Sequence, residues 1–245
     1  MAFHNIRDKY GRFTKKKARA SRAKKPQVVI PPLATILNIF LLDDSGSMYN
    51  KADATVNGFN EVVDICKTAS KTTGVTYRDI LVTFGELEYY KWKEGSTYLS
   101  MIPAIGKHYY SPSQNGTALY DAILDSITCA ENLLKADKDT EYRVVLTVFT
   151  DGRNNVNGYK MNQLKLTIEE RRNQGWVINF IGAGEDSVIK KEAAKIGIDF
   201  TNTLSYVNTS AGTRGAMGKM SAASMNFAEA VSQREEKTVG FFANK

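Results

Sequence analysis

The sequence predicts an α/β fold: a doubly wound, mostly parallel central sheet of about six strands, one of them an antiparallel edge strand, with helices on both faces. Three observations carry this expectation. Short and almost wholly apolar runs recur along the chain, as strands buried on both faces must be. Longer segments with apolar residues at helical spacing alternate with those runs. The chain has 245 residues, of which 42% are hydrophobic and 24% charged, enough for one sizeable core that needs no disulfides.

The elements follow in order. Residues 35–42 (TILNIFLL) read as a strand buried on both faces. Residues 50–72 place Val56, Phe59, Val62, Val63, Ile65 and Cys66 at helical spacing, and Gly74 stops that helix. A second strand is expected over 75–84 and a third over 88–93. Gly85-Glu86 suggests a tight turn between them, which makes this pair antiparallel. Residues 94–116, with Gly, Ser, Pro and Asn, read as an irregular loop. A helix over 117–135 carries Leu119, Ala122, Ile123, Ile127, Ala130, Leu133 and Leu134. Residues 142–150 (YRVVLTVFT) form the next strand. A helix over 159–173, a strand over 176–181, a helix over 186–196, a short strand over 199–204 and a helix over 213–234 complete the pattern.

Charge divides the chain. Residues 1–26 hold ten basic residues against the single acid Asp8, a net +9, whereas the whole chain is +7, so the remainder sits near −2. This first segment has no hydrophobic period and is expected to be disordered on its own. Residues 27–34, with Pro31 and Pro32, lead stiffly into a domain over 35–245. No apolar run reaches the length of a membrane span, and no hydrophobic stretch follows the basic N-terminus as in a secretory signal. The expectation is a cytoplasmic protein that engages no membrane. Cys66 and Cys129 lie in helical stretches among apolar residues and read as buried, reduced thiols.

Doubly wound sheets bind ligands beyond the carboxyl ends of their strands. The first strand runs directly into Asp43-Asp44-Ser45-Gly46-Ser47, and the strand over 142–150 runs into Asp151-Gly152. Thr117 opens a helix between them. Carboxylates and hydroxyls are hard oxygen donors suited to Mg²⁺, Mn²⁺ or Ca²⁺ and not to softer metals. Asp43, Ser45, Ser47, Thr117 and Asp151 are therefore the candidate metal ligands, with Mg²⁺ the expected ion.

This arrangement resembles the metal-ion-dependent adhesion site of the von Willebrand factor type A (VWA) family, a Rossmann-like fold. Its D-x-S-x-S, T and D segments stand here as Asp43-Asp44-Ser45-Gly46-Ser47, Thr117 and Asp151. The chain further resembles small stand-alone prokaryotic and phage members of that family through TVNGFNEVV (55–63), WVINFIGAGEDSVIKKEAAKIGI (176–198) and TSAGTRGAMGKMSAASMNF (209–227). The resemblance covers roughly residues 35–235. It implies a metal that captures an Asp or Glu of a protein partner, coupled to movement of the Thr117 loop and the C-terminal helix.

Other readings compete. The metal could merely stabilise the loops, leaving the basic arm to act. Lys15, Lys16, Lys17, Arg19, Arg22, Lys24 and Lys25 are the candidate contacts to nucleic acid or another acidic surface, as in a nucleic-acid-associated protein or a phage virion component. Catalysis is not expected. Phosphotransferases with an Asp after their first strand use a second Asp two positions on, where this chain has Ser45. No lysine or histidine is evidently placed as a base or phosphate clamp, His4 lying in the arm and His108 in the irregular loop. Asp121 reads either as a hydrogen-bond partner behind Thr117 or as a surface helix residue. Tyr89, Tyr90, Trp92 and Tyr98 cluster around the third strand and read either as edge-strand packing or as an interaction edge.

Overall fold

The computed structural model describes residues 33–86, 91–98, 104–106, 108–113, 115–156, 161–236 and 238–243, together with Ile6–Arg7 and Phe13–Thr14. The chain divides into two units, Met1–Pro32 and Leu33–Lys245. In the first, Ile6–Arg7 pairs antiparallel with Phe13–Thr14. The basic residues from Lys15 to Lys25 lie outside the described residues, as do Tyr89 and Tyr90 and the side chains of Trp92 and Tyr98.

In the second unit, five strands form a parallel sheet flanked by helices: β1 (Thr35–Asp43), β2 (Thr76–Phe84), β4 (Tyr142–Thr150), β5 (Val177–Ala183) and β6 (Thr203–Tyr206). A further segment, β3 (Lys91–Tyr98), lies antiparallel against β2 at the edge. The spatial order is β3-β2-β1-β4-β5-β6. Every residue of β1 is buried, because β1 is central and both faces are covered.

Alternation along β1 sorts its side chains between two cores. Ile36, Phe40 and Leu42 pack with Val56, Phe59, Val62, Met217, Met220 and Phe227 under α1 (Ala52–Thr73) and α5 (Ser210–Ser232). Leu37, Ile39 and Leu41 pack with residues of α2 (Leu119–Ala136), α3 (Met161–Asn173) and α4 (Asp186–Lys195). The two helices of the first face touch closely at Gly58, where a Cβ would come within 2.5 Å of Met217 Cγ. Gly74 ends α1 in the left-handed conformation, φ 75°, as its position in the sequence implies.

Three expectations shift. The edge strand runs past its expected end at residue 93, through Gly95 and Ser96 to Tyr98, because pairing with β2 fixes an edge strand more than its own apolar content does. The last strand begins at Thr203 and not at 199. The Asp199 carboxylate accepts from the Thr201 N–H at 2.8 Å and caps a 3₁₀ turn, Phe200–Asn202, which delays it. Cys129 is half-buried and Cys66 buried, both as free thiols.

Candidate metal centre

The spatial order reverses direction at β1 and β4: the chain leaves β1 for β2 on one side and returns to β4 on the other. That junction opens a crevice at the carboxyl ends of the two strands. Asp43 ends β1 and Asp151 follows β4, so the topology sets both carboxylates at its lip.

Asp43 is fully buried. Its Oδ1 accepts from the Ser45 backbone N–H at 2.8 Å and its Oδ2 from the Thr150 hydroxyl at 2.5 Å. The Tyr110 hydroxyl donates to the Asp43 carbonyl at 2.5 Å, which fixes the backbone at the strand end. Burial raises the Asp43 carboxyl to about 6, against the opposing pull of hydrogen bonds from Ser45 and Thr150, with the nearby Asp151 charge adding a smaller upward push. Tyr206 supports the floor of the site: its ring stacks on Phe149 at 5.1 Å between centroids, and its hydroxyl donates to the Thr150 carbonyl.

Beyond Asp43, the 3₁₀ turn Gly46–Lys51 presents the hydroxyls. Ser45 Oγ and Ser47 Oγ lie 3.1 Å apart, and Ser47 Oγ donates to Asp151 Oδ1 at 2.7 Å. Thr117 reaches the same place from the loop before α2. A point one Cβ bond from Gly152 lies 3.4 Å from Thr117 Oγ1 and 3.8 Å from Asp43 Oδ2. The structure thus brings together all five oxygen-bearing residues singled out in the sequence.

Two asparagines that sequence reasoning missed hold Thr117 and the start of α2 there. The Asn155 side-chain oxygen accepts from the Thr117 N–H at 2.7 Å, and the Asn155 N–H donates to the Thr117 carbonyl at 3.2 Å. Asn154 Oδ1 accepts from the Tyr120 N–H at 3.1 Å. Their signal was present: two amides three and four residues after Asp151, in a loop with backbone groups to satisfy. Asp121 is buried, which removes the surface reading, and His108 is exposed, its ring tilted against that of Tyr109 with centroids 4.2 Å apart.

A lysine is placed here, contrary to expectation. Lys51 is buried, and its Nζ donates to Asp151 Oδ2, to the Ser47 carbonyl at 2.7 Å and to Asn208 Oδ1 at 2.7 Å. It escapes sequence reasoning because a lysine at the start of a helix ordinarily faces water.

Among the described residues no group of three or more His, Cys, Asp and Glu forms a metal-holding cluster. The donors gathered at the crevice are instead two carboxylates and three hydroxyls. They are hard oxygens in the number and kind that Mg²⁺ accepts when it keeps some of its waters, so the residues present fit such an ion.

The family model for the von Willebrand factor type A domain matches residues 39–215, a span that contains all five of these residues. Among solved structures, the SpRpn10 VWA domain superposes with a TM-score of 0.51 at 12% identity, covering 76% of this chain and 95% of that one. The pilus adhesin SpaC from Lactobacillus rhamnosus GG gives 0.58 at 13% identity, covering 79% of this chain and 31% of that one. Proximal thread matrix protein 1 from the mussel byssus gives 0.50 at 20% identity, covering 80% and 48%. The chain therefore spans about half or less of the length of the last two. No curated protein sequence matches it.

Proposed function

The chain belongs to the von Willebrand factor type A family, and on that premise we propose that it is a protein-binding module whose divalent cation captures an acidic side chain of a partner. Asp43, Ser45, Ser47 and Thr117 would hold the ion, with Asp151 hydrogen-bonded behind Ser47. Mg²⁺ is the favoured ion, Mn²⁺ and Ca²⁺ being chemically compatible. When bound, the ion supplies a Lewis-acidic position that prefers a carboxylate oxygen.

One observation carries the reading: five oxygen-bearing side chains from three distant segments converge on the crevice between β1 and β4. The protein's own part is orientation. Thr150 and the Ser45 N–H fix the Asp43 carboxylate, Asp151 fixes the Ser47 hydroxyl, and Asn155 fixes the Thr117 loop. The VWA fold is commonly used for protein interaction, and one structural neighbour, SpaC, is a pilus adhesin. We read the site as a binding site, not a catalytic one; turnover in a phosphatase screen with Mg²⁺ and Mn²⁺ would contradict that. Among the described residues no helix is long and apolar enough to cross a membrane.

The test is an array of peptides with Asp or Glu in varied surroundings, probed in Mg²⁺ and in EDTA. Acidic spots should bind only in Mg²⁺, and Asp43→Ala should erase them. Binding indifferent to EDTA and to Asp43→Ala would refute metal-dependent capture.

The charge segregation supports a second reading, in which residues 1–26 hold nucleic acid or an acidic surface. It can coexist with the first. Removing residues 1–26 should abolish salt-sensitive binding of single-stranded DNA; retention of that binding would end this second reading.

A further inference from the structure

Metal ligation does not use Lys51, and its chemistry is specific. Its ammonium has three protons, and the three acceptors it touches account for all of them: Ser47 O, Asp151 Oδ2 and Asn208 Oδ1. Its side chain is 7% exposed and that of Asp151 0%, so solvent screens their pairing little. The two Asp151 oxygens are divided, Oδ1 to the Ser47 hydroxyl and Oδ2 to Lys51. Among the described residues Asp43 has no comparable cation, its carboxylate being met by a hydroxyl and an amide N–H.

We propose that Lys51 is a charge-setting positioning residue: its ammonium takes up the charge of Asp151, so that of these two carboxylates Asp43 alone meets a divalent cation uncompensated. The inference rests on the metal-binding reading above and deepens it. A cation facing two free carboxylates would be neutralised by the protein itself and would have little appetite for a third. A cation facing Asp43 alone keeps net positive charge for a partner's Asp or Glu. The ammonium thereby exchanges cation affinity for receptivity to an external carboxylate. Asn208 shows how Lys51 is held: it lies between β6 and α5, and Ser210 Oγ donates to the Asn50 carbonyl at 3.1 Å beside it, so the start of α5 is fastened to the turn that carries Lys51.

The sign of one substitution separates this role from ordinary support. A residue that only orients a ligand loosens the metal when removed, commonly by about 10- to 100-fold. A residue that cancels ligand charge tightens it when removed, because an unscreened carboxylate a few ångströms away attracts the ion more strongly.

The experiment is calorimetric titration of the full chain with Mg²⁺ at fixed ionic strength. Lys51→Met should bind Mg²⁺ about tenfold more tightly than the wild type, and Lys51→Arg within about threefold of it. Affinity of Lys51→Met equal to or weaker than the wild type, or Lys51→Arg behaving as Lys51→Met does, would overturn the proposal. The double variant Lys51→Met/Asp151→Asn keeps the test open should Lys51→Met fail to fold, since removing both halves of a buried ion pair is far less damaging than removing one. It should stay within about threefold of the wild type; a larger loss would overturn the proposal. A wild-type chain that takes up no Mg²⁺ would instead defeat the metal reading itself, a separate outcome.

Discussion

Asp43 and Asp79 lie on adjacent parallel strands, both fully buried, and burial pushes both carboxyls upward, to about 6 and about 7. Their surroundings differ. Asp43 sits at the carboxyl end of β1, where loops from three segments gather hydroxyls around it. Asp79 sits in mid-strand, opposite Asn38 in register, under α1 and α5. Its Oδ1 accepts from Asn38 Nδ2 at 2.9 Å, and its Oδ2 has no hydrogen-bond partner among the described residues. Cys66 closes the pocket, its thiol 4.0 Å from Asn38 Nδ2 and pushed well up by burial. Equal burial thus gives one carboxyl a set of potential ligands and the other a sealed polar defect. Position relative to the strand ends separates a candidate site from a structural oddity, and desolvation alone does not.

The largest effect that sharpens this contrast concerns stability and pH. Asp79 is protonated in the fold up to about 7 and in the unfolded chain only to its ordinary value of 3.8. The folded state therefore binds more protons in that window, and stability present below pH 3.8 is lost as pH rises towards 7. Asp79→Asn should remove this loss, gaining up to about 3 kcal/mol over the wild type near neutral pH in denaturant titrations. Parallel pH profiles for the two proteins would break the assignment.

Asn38→Ala should be next in size. It strips Asp79 of its only described donor and should cost about 1–3 kcal/mol, while leaving Mg²⁺ affinity as it was. A change in Mg²⁺ affinity would show that the two carboxyls are not independent.

Smaller still is the pH dependence of metal uptake. Protons compete with the ion for Asp43, so Mg²⁺ affinity should fall as pH drops through about 6, by at most about tenfold, or 1.4 kcal/mol, per pH unit below it. Flat affinity between pH 7 and 5 would mean that Asp43 is not the carboxylate that matters.

The contrast also explains how much was legible in advance. Asp43 and Asp151 could be read because each interrupts a strongly apolar strand at its end, and Ser45, Ser47 and Thr117 because their spacing is a motif. The sequence held equal evidence for Asp79 and Asn38, a carboxyl and an amide within apolar strands, yet only the register reveals that they face each other. Lys51 and Asn155 were hidden for a related reason. Their roles depend on partners 100 and 38 residues away, and no local period encodes such a meeting. Strand and helix identities were recoverable from periodicity. The end of β3 and the start of β6 moved because pairing decides the one and a side-chain cap the other.

Calorimetric titration of Mg²⁺ into the wild type, Asp43→Asn and Asp79→Asn tests most directly whether the crevice between β1 and β4 binds a divalent cation through Asp43. One site is expected in the wild type, the same affinity in Asp79→Asn, and no measurable binding in Asp43→Asn. Binding that survives in Asp43→Asn would contradict that role.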